Sequence, residues 1–164
     1  MLASVLQIWQ ANAWKQKFGD KLNYYNKGVG GSPSSYGLLR FERDVAAYNP
    51  NMVFVEFAVN DSGKDTRKYI EGIVRSLIDL PTRPYVAFLY TTNETYDTKT
   101  NYFEDVAKYY HIPQIYLKDA LKKHLRGENA RKAGYLKDSV HPTDKGYEVY
   151  YQRNGTLSFR GRIL

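Results

Sequence analysis

Two hydrophobic periods alternate along the middle of this chain, and that alternation restricts its fold more than any other feature. Residues 52–57 (Met-Val-Phe-Val-Glu-Phe), 85–90 (Tyr-Val-Ala-Phe-Leu-Tyr) and 113–117 are short apolar runs rich in β-branched and aromatic side chains, with turn formers such as Asn49-Pro50-Asn51 and Asn60-Asp61 beside the first. Residues 22–25 read as a fourth, shorter strand. Residues 38–48, 65–80, 102–110 and 117–125 instead repeat their apolar side chains every three or four positions, the period of an amphipathic helix. An opening helix over residues 2–18, with Trp9, Trp14 and Phe18 on its apolar stripe, would stop at Gly19. Strands that are apolar on both alternate faces are covered by helices on both sides. The order therefore predicts an open three-layer α/β parallel sheet, in which reactive groups gather on loops at the carboxyl ends of strands.

The length, 164 residues, suits one domain over 1–164, and no repeat, linker or low-complexity segment divides it. A composition of 43% hydrophobic and 25% charged residues argues against intrinsic disorder. Charges interrupt every apolar run well short of the ~20 residues a membrane helix needs, so no membrane span is expected. The first twelve residues lack the basic leader and cleavage site of a targeting peptide. The absence of cysteine rules out a disulfide scaffold, a thiolate metal site and a cysteine nucleophile. A net charge of +7 permits an acidic partner, and sixteen tyrosines suit core, interface or sugar-stacking surface alike.

Three polar segments stand out. Asn26-Lys27-Gly28-Val29-Gly30-Gly31-Ser32 has glycines that bring backbone N–H groups close to a ligand, yet it matches neither the phosphate-binding nor the dinucleotide glycine pattern. No nucleotide or nucleic acid partner is expected. Ala58-Val59-Asn60-Asp61-Ser62 follows the clearest strand; its Asn60 either caps the next helix or offers a fixed amide donor of the kind an oxyanion requires. Asp138-Ser139-Val140-His141-Pro142 places a carboxylate and an imidazole where one loop presents both, the Asp accepting from one ring nitrogen while the other faces a reactant. Thr143 would cap the helix that follows, and His111 and His124 sit in plainer surroundings. No spacing of metal ligands is found, and neither metal nor cofactor is implied.

In this order these segments resemble the second, third and fifth sequence blocks of the SGNH, or GDSL-type, hydrolases, over roughly residues 14–147. The resemblance implies a flavodoxin-like sheet and a serine esterase or acylhydrolase. It also implies that Gly31 and Asn60 form the oxyanion hole, with His141 as general base and Asp138 as its orienting partner. These groups are expected to converge at one edge of the sheet. The family's first block, Gly-Asp-Ser, supplies the nucleophile from the first strand, and no such triplet occurs here; Gly19-Asp20 is followed by Lys21. Family spacing puts the serine at or before Met1, and Ser4, inside the helical stripe, is the only upstream serine. The expectation is thus a domain lacking its first strand, either truncated at the N-terminus or a degenerate, inactive relative, with Ala58 where the family usually has glycine. Asn154-Gly155 interrupts the closing helix expected over residues 147–164.

The function expected is hydrolysis of a small acyl ester, an acetylated carbohydrate being the substrate in view. The alternative is a non-catalytic module for glycans or polyanions, with the basic stretch from Lys118 to Lys137 as its surface.

Overall fold

The computed structural model describes residues 19–154. It divides into two compact units. The first comprises Ser32–Thr91 and Thr98–Tyr116; the described part of the second comprises residues 19–31, 92–97 and 117–154.

The first unit holds the sheet. Its elements are α1 (Ser34–Leu39), α2 (Phe41–Asp44), β1 (Met52–Val55), α3 (Thr66–Ile78), β2 (Tyr85–Tyr90), α4 (Asn101–Tyr110) and β3 (Gln114–Tyr116). The strands pair in parallel in the order β1-β2-β3, with Met52 opposite Tyr85 and Phe88 opposite Gln114. Parallel neighbours need a crossover, and the helical periods of α3 and α4 provide the two that are required. On α3 the residues Ile70, Ile73, Val74 and Leu77 are buried at three- and four-residue spacing, and on α4 Phe103, Val106 and Ala107. These join Phe88 and Tyr90 in one core, where the Phe103 ring stands edge-on to both at 5.9 Å. Such pairs add about 0.5–1.5 kcal/mol each beyond the area they bury. Helix α1 packs on α3 where Gly72 leaves room: a Cβ there would come within 2.8 Å of Leu38.

The second unit carries α5 (Leu117–His124) and α6 (Asp144–Asn154), which pack on each other. Leu117, Leu121, Leu125, Ala130, Leu136, Tyr147, Val149 and Tyr150 are among its buried residues. Between the helices the chain is held by turns and by one antiparallel bridge, Leu136 with Pro142. Gly146 lets α6 come close to this segment, because a Cβ there would collide with the backbone oxygen of Tyr135. Among the described residues no helix is long and apolar enough to cross a membrane.

The α/β class and the three principal strands match the sequence reading. Residues 22–25 do not form a strand. Only Leu22 is half-buried while Asn23, Tyr24 and Tyr25 are exposed, so the run has no apolar face to put against a sheet. The helix expected over 38–48 is broken into α1, α2 and a 3-10 turn, Ala46–Tyr48, and the backbone leaves the helical region at Val45 before Asn49 turns left-handed. The closing helix starts at Asp144, before the expected 147. The helix expected over 2–18, Ser4, and residues from Gly155 onward lie outside the described residues.

Candidate active site

In the first unit the chain leaves β1 and turns at once. The backbone N–H groups of Asn60 and Asp61 both donate to the Phe57 carbonyl at 2.9 Å, so the turn is fixed by the strand it follows. From it Asn60 Nδ2 donates to the Ser32 carbonyl at 3.3 Å. One amide hydrogen is thereby engaged; the primary amide carries a second, which is what an oxyanion would take. Asp61 Oδ1 accepts the Ser34 backbone N–H at 2.9 Å. Ser34 opens α1, so the carboxylate serves one of the unpaired donors at the start of that helix. Asn60-Asp61 thus does not cap the helix that follows, as the alternative had it; Asp61 serves the helix that precedes it in the chain. Asp61 is 5% exposed; burial raises its pKa, against the hydrogen bonds from Ser34.

Sequence reasoning passed over Glu56, a half-buried carboxylate just past the end of β1. Thr91 Oγ1 donates to its Oε1 at 2.9 Å. Burial pushes Glu56 up to about 7, with the Asp61 charge adding to the rise and hydrogen bonds from Thr91 and Val59 opposing it. The signal was a lone carboxylate inside an apolar strand, which has to be hydrogen-bonded or neutral to stay there.

In the second unit Gly30 and Gly31 form a turn, and Gly31 sits at φ +71°. A Cβ at Gly31 would meet nothing within 4 Å, so the backbone conformation is what calls for glycine there. The segment before it is coil, pinned by the Gly28 N–H to Asn26 Oδ1 at 2.9 Å.

Of the candidate segments, the Asp138–His141 loop has the densest hydrogen bonding. Asp138 Oδ1 accepts the backbone N–H groups of Val140 at 3.0 Å and His141 at 2.7 Å, and His141 Nδ1 lies 2.8 Å from Oδ1 and 2.6 Å from Oδ2. Partial burial acts to raise the Asp138 pKa, but these N–H groups and the imidazole outweigh it and hold the carboxyl near 2. An ionised carboxylate only accepts, so Nδ1 carries a proton, and in the neutral tautomer this selects Nε2 is bare. That is the tautomer a general base needs. The Lys137 N–H donates to the His141 carbonyl at 2.8 Å, and the Thr143 hydroxyl both donates to the Gly134 carbonyl and accepts the Gly146 N–H, capping α6 as expected.

A second contribution not foreseen from sequence comes from residues 92–97. Asn93 Oδ1 accepts the N–H groups of Thr95 and Asp97 at 3.1 and 2.9 Å, and its Nδ2 donates to the Asp97 carbonyl. The turn so closed presents the Glu94 N–H to the Ser139 carbonyl at 2.8 Å and the Glu94 carbonyl to the Ala130 N–H at 3.1 Å. The Asp138–His141 loop is thus tied to a segment some 45 residues earlier in the chain.

A parallel sheet of three strands joined by helical crossovers is the α/β architecture of the SGNH hydrolases. The family profile described as GDSL-like Lipase/Acylhydrolase matches residues 7–149, and the chain belongs to that family of ester hydrolases. The fold is shared with a two-domain esterase, CEX, active on acetylated mannans (TM-score 0.80, 24% identity, covering 91% of this chain and 41% of that one). It is shared too with Axe2, an acetylxylan esterase from Geobacillus stearothermophilus (TM-score 0.74, 15% identity, 89% and 78% covered). A third likeness is to the acetyl xylan esterase AlAXEase (TM-score 0.72, 18% identity, 91% and 87% covered). The chain spans about two fifths of the length of the mannan esterase. No curated protein sequence matches it.

Proposed function

We propose that this chain supplies the base and oxyanion-binding parts of a serine esterase that removes acetyl groups from carbohydrate. The observation that carries the reading is the Asp138–His141 pair, with Nδ1 committed to an ionised carboxylate and Nε2 left as the proton acceptor. In this mechanism a serine Oγ attacks the ester carbonyl and gives its proton to His141 Nε2, while Asp138 stabilises the imidazolium. The Gly31 N–H and Asn60 Nδ2 take the negative charge that develops on the carbonyl oxygen. Collapse of the tetrahedral intermediate returns the proton to the departing sugar hydroxyl, and water then releases acetate by the same route. The acetylated mannan and xylan named for proteins of the same fold support the choice of acyl group and alcohol. No Gly-Asp-Ser triplet occurs in the 164 residues, so the serine of this reading is not assigned to any residue of the chain.

The test compares the 164 residues with the same chain extended upstream by a strand bearing Gly-Asp-Ser, assayed on p-nitrophenyl acetate and on acetylated mannan and xylan oligosaccharides. Negligible turnover by the first and clear turnover by the second is expected, with His141→Ala lowering kcat of the extended form by roughly a thousandfold. Hydrolysis by the unextended chain that disappears with Ser4→Ala would move the nucleophile to Ser4. An extended form that folds and remains inert would overturn the esterase reading.

A further inference from the structure

The excess positive charge of this protein is concentrated in one stretch. Residues 117–137 hold seven of its 24 Lys and Arg and only two of its 17 Asp and Glu, a net +5 of the chain's +7. Lys122, Lys123, Arg126, Arg131, Lys132 and Lys137 are all exposed, and among the described residues none of the six is in an ion pair. The negative end of the α5 dipole explains cations at Lys122 and Lys123, in its last turn. It does not explain Arg131, Lys132 or Lys137, which lie beyond the helix.

These charges are held on a built framework. The Gly127 N–H returns to the Lys122 carbonyl at 2.9 Å, Asn129 Oδ1 accepts the N–H groups of Arg131 and Lys132, and Leu121, Leu125, Ala130 and Leu136 are buried along the same stretch. Arg126 occupies the left-handed region at φ +52°, where glycine or asparagine would be less strained. The framework continues into the candidate site, because the Lys137 N–H bonds the His141 carbonyl.

We infer that residues 117–137 form a docking surface for a carboxylate-bearing polysaccharide, which would bring acyl esters on that polymer to the His141 loop. This deepens the esterase reading and rests on it for the purpose of the docking, though not for the docking itself. Two observations favour a polyuronate over a nucleic acid. Single-stranded nucleic acids bind where aromatic faces are open for stacking. Here Lys122 lies over the Tyr96 ring at 5.9 Å and His124 packs edge-on to Tyr135, so the nearby rings are engaged. The patch is also richer in lysine than in arginine, and the forked guanidinium is the side chain better matched to phosphate.

The experiment is affinity electrophoresis and calorimetry of the 164-residue chain with polygalacturonate, neutral acetylated mannan and single-stranded DNA across a salt series. Polygalacturonate should bind with a steep salt dependence, and Lys122→Glu/Lys123→Glu/Arg126→Glu should weaken it on the order of thirtyfold. Lys122→Gln/Lys123→Gln/Arg126→Gln should give an intermediate loss, which separates charge from misfolding. Absence of binding at low salt, equal binding of the neutral mannan, insensitivity to reversal, or DNA bound as tightly as polygalacturonate would each overturn the inference. Because no turnover is needed, the result is independent of whether the extended form hydrolyses esters.

Discussion

Asn60 and Asp61 follow a core strand directly, their amides tied to Phe57 and their side chains to Ser32 and Ser34. Asp138 and His141 instead depend on one antiparallel bridge, a capped helix start and a few loop hydrogen bonds. In the proposed mechanism this contrast would correspond to two chemical tasks. An oxyanion donor is effective only if already in place when charge develops, so it gains from a strand that does not reorganise. A general base has to keep the correct tautomer through each proton transfer, and Asp138 settles that locally, three residues away. The Asn60–Asp61 turn is thus set by its strand and by Ser32 and Ser34, and the Asp138–His141 pair by bonds within its own loop together with the Glu94 anchor, so substitutions should damage the two differently.

The largest effect should come from Gly146→Ala. Alanine is the better helix former, by about 1 kcal/mol, yet its Cβ would collide with the Tyr135 backbone oxygen, which no rotamer change can relieve. A net loss of about 3 kcal/mol in denaturant unfolding is expected. It should be accompanied by loss of the Thr143 N–H to Tyr135 carbonyl bond, read as faster amide exchange at Thr143. An alanine variant as stable as the parent would mean that α6 does not need this close approach.

Asp61→Ala tests the other half. It would leave the buried Ser34 N–H without an acceptor, at a cost of about 2 kcal/mol. Asp61→Asn, which keeps the accepting oxygen, should recover most of that. Equal losses for the two variants would show that the charge, and not the hydrogen bond, is what holds the start of α1.

How much of this was legible in the sequence follows the same division. The three strands and the helices α3, α4 and α5 could be read because burial imposes a period of two or of 3.6, and the apolar residues obey it. The Asp138–His141 pair could be read because both partners lie in one turn. The runs 22–25 and 38–48 were misread: the first is apolar in type but has no face to bury, and the second carries helical spacing through breaks at Arg40 and Val45. Asp61 with Ser34, 27 residues apart, and Glu94 with Ser139, 45 apart, leave no periodic trace, since nothing in a local pattern records which loops the fold will bring together.

Glu56 gives the strand-borne turn a pH dependence near neutrality, opposite in sign to the one Asp138 gives its loop in acid. Its folded pKa, about 7, lies above the ordinary 4.5, so the folded state favours the protonated form. Its contribution is then fully present below 4.5 and disappears as pH rises through about 7. Up to about 2 kcal/mol of stability should be lost across that window, allowing for the water that reaches a half-buried group. Asp138 works in the opposite sense, its depressed pKa contributing stability that is lost only as pH falls toward 2. Glu56→Gln keeps an acceptor for Thr91 and should flatten the dependence in unfolding experiments on either side of neutrality. A slope that persists in the Gln variant would assign it to another group.

The smallest expected change in stability is the one that most sharpens the contrast. Asn93 closes the 93–97 turn with its own side chain, and that turn supplies the Glu94 N–H to Ser139. Asn93→Ala removes the closure at a partly exposed site, so global stability should fall by only about 1 kcal/mol. The consequence should appear instead at Asp138. The Val140 and His141 N–H groups that keep its carboxyl near 2 belong to the loop that Glu94 anchors, and a looser loop holds those bonds for less of the time. A carbon-13 carboxyl titration should find the Asp138 midpoint higher in Asn93→Ala than in the parent, with Glu56 unchanged. Asn93→Asp keeps the two accepted N–H bonds and loses only the donation to Asp97, and should lie between them. If the Asp138 midpoint stays put while stability drops, the turn is a structural neighbour and the Asp138–His141 loop sets its own geometry.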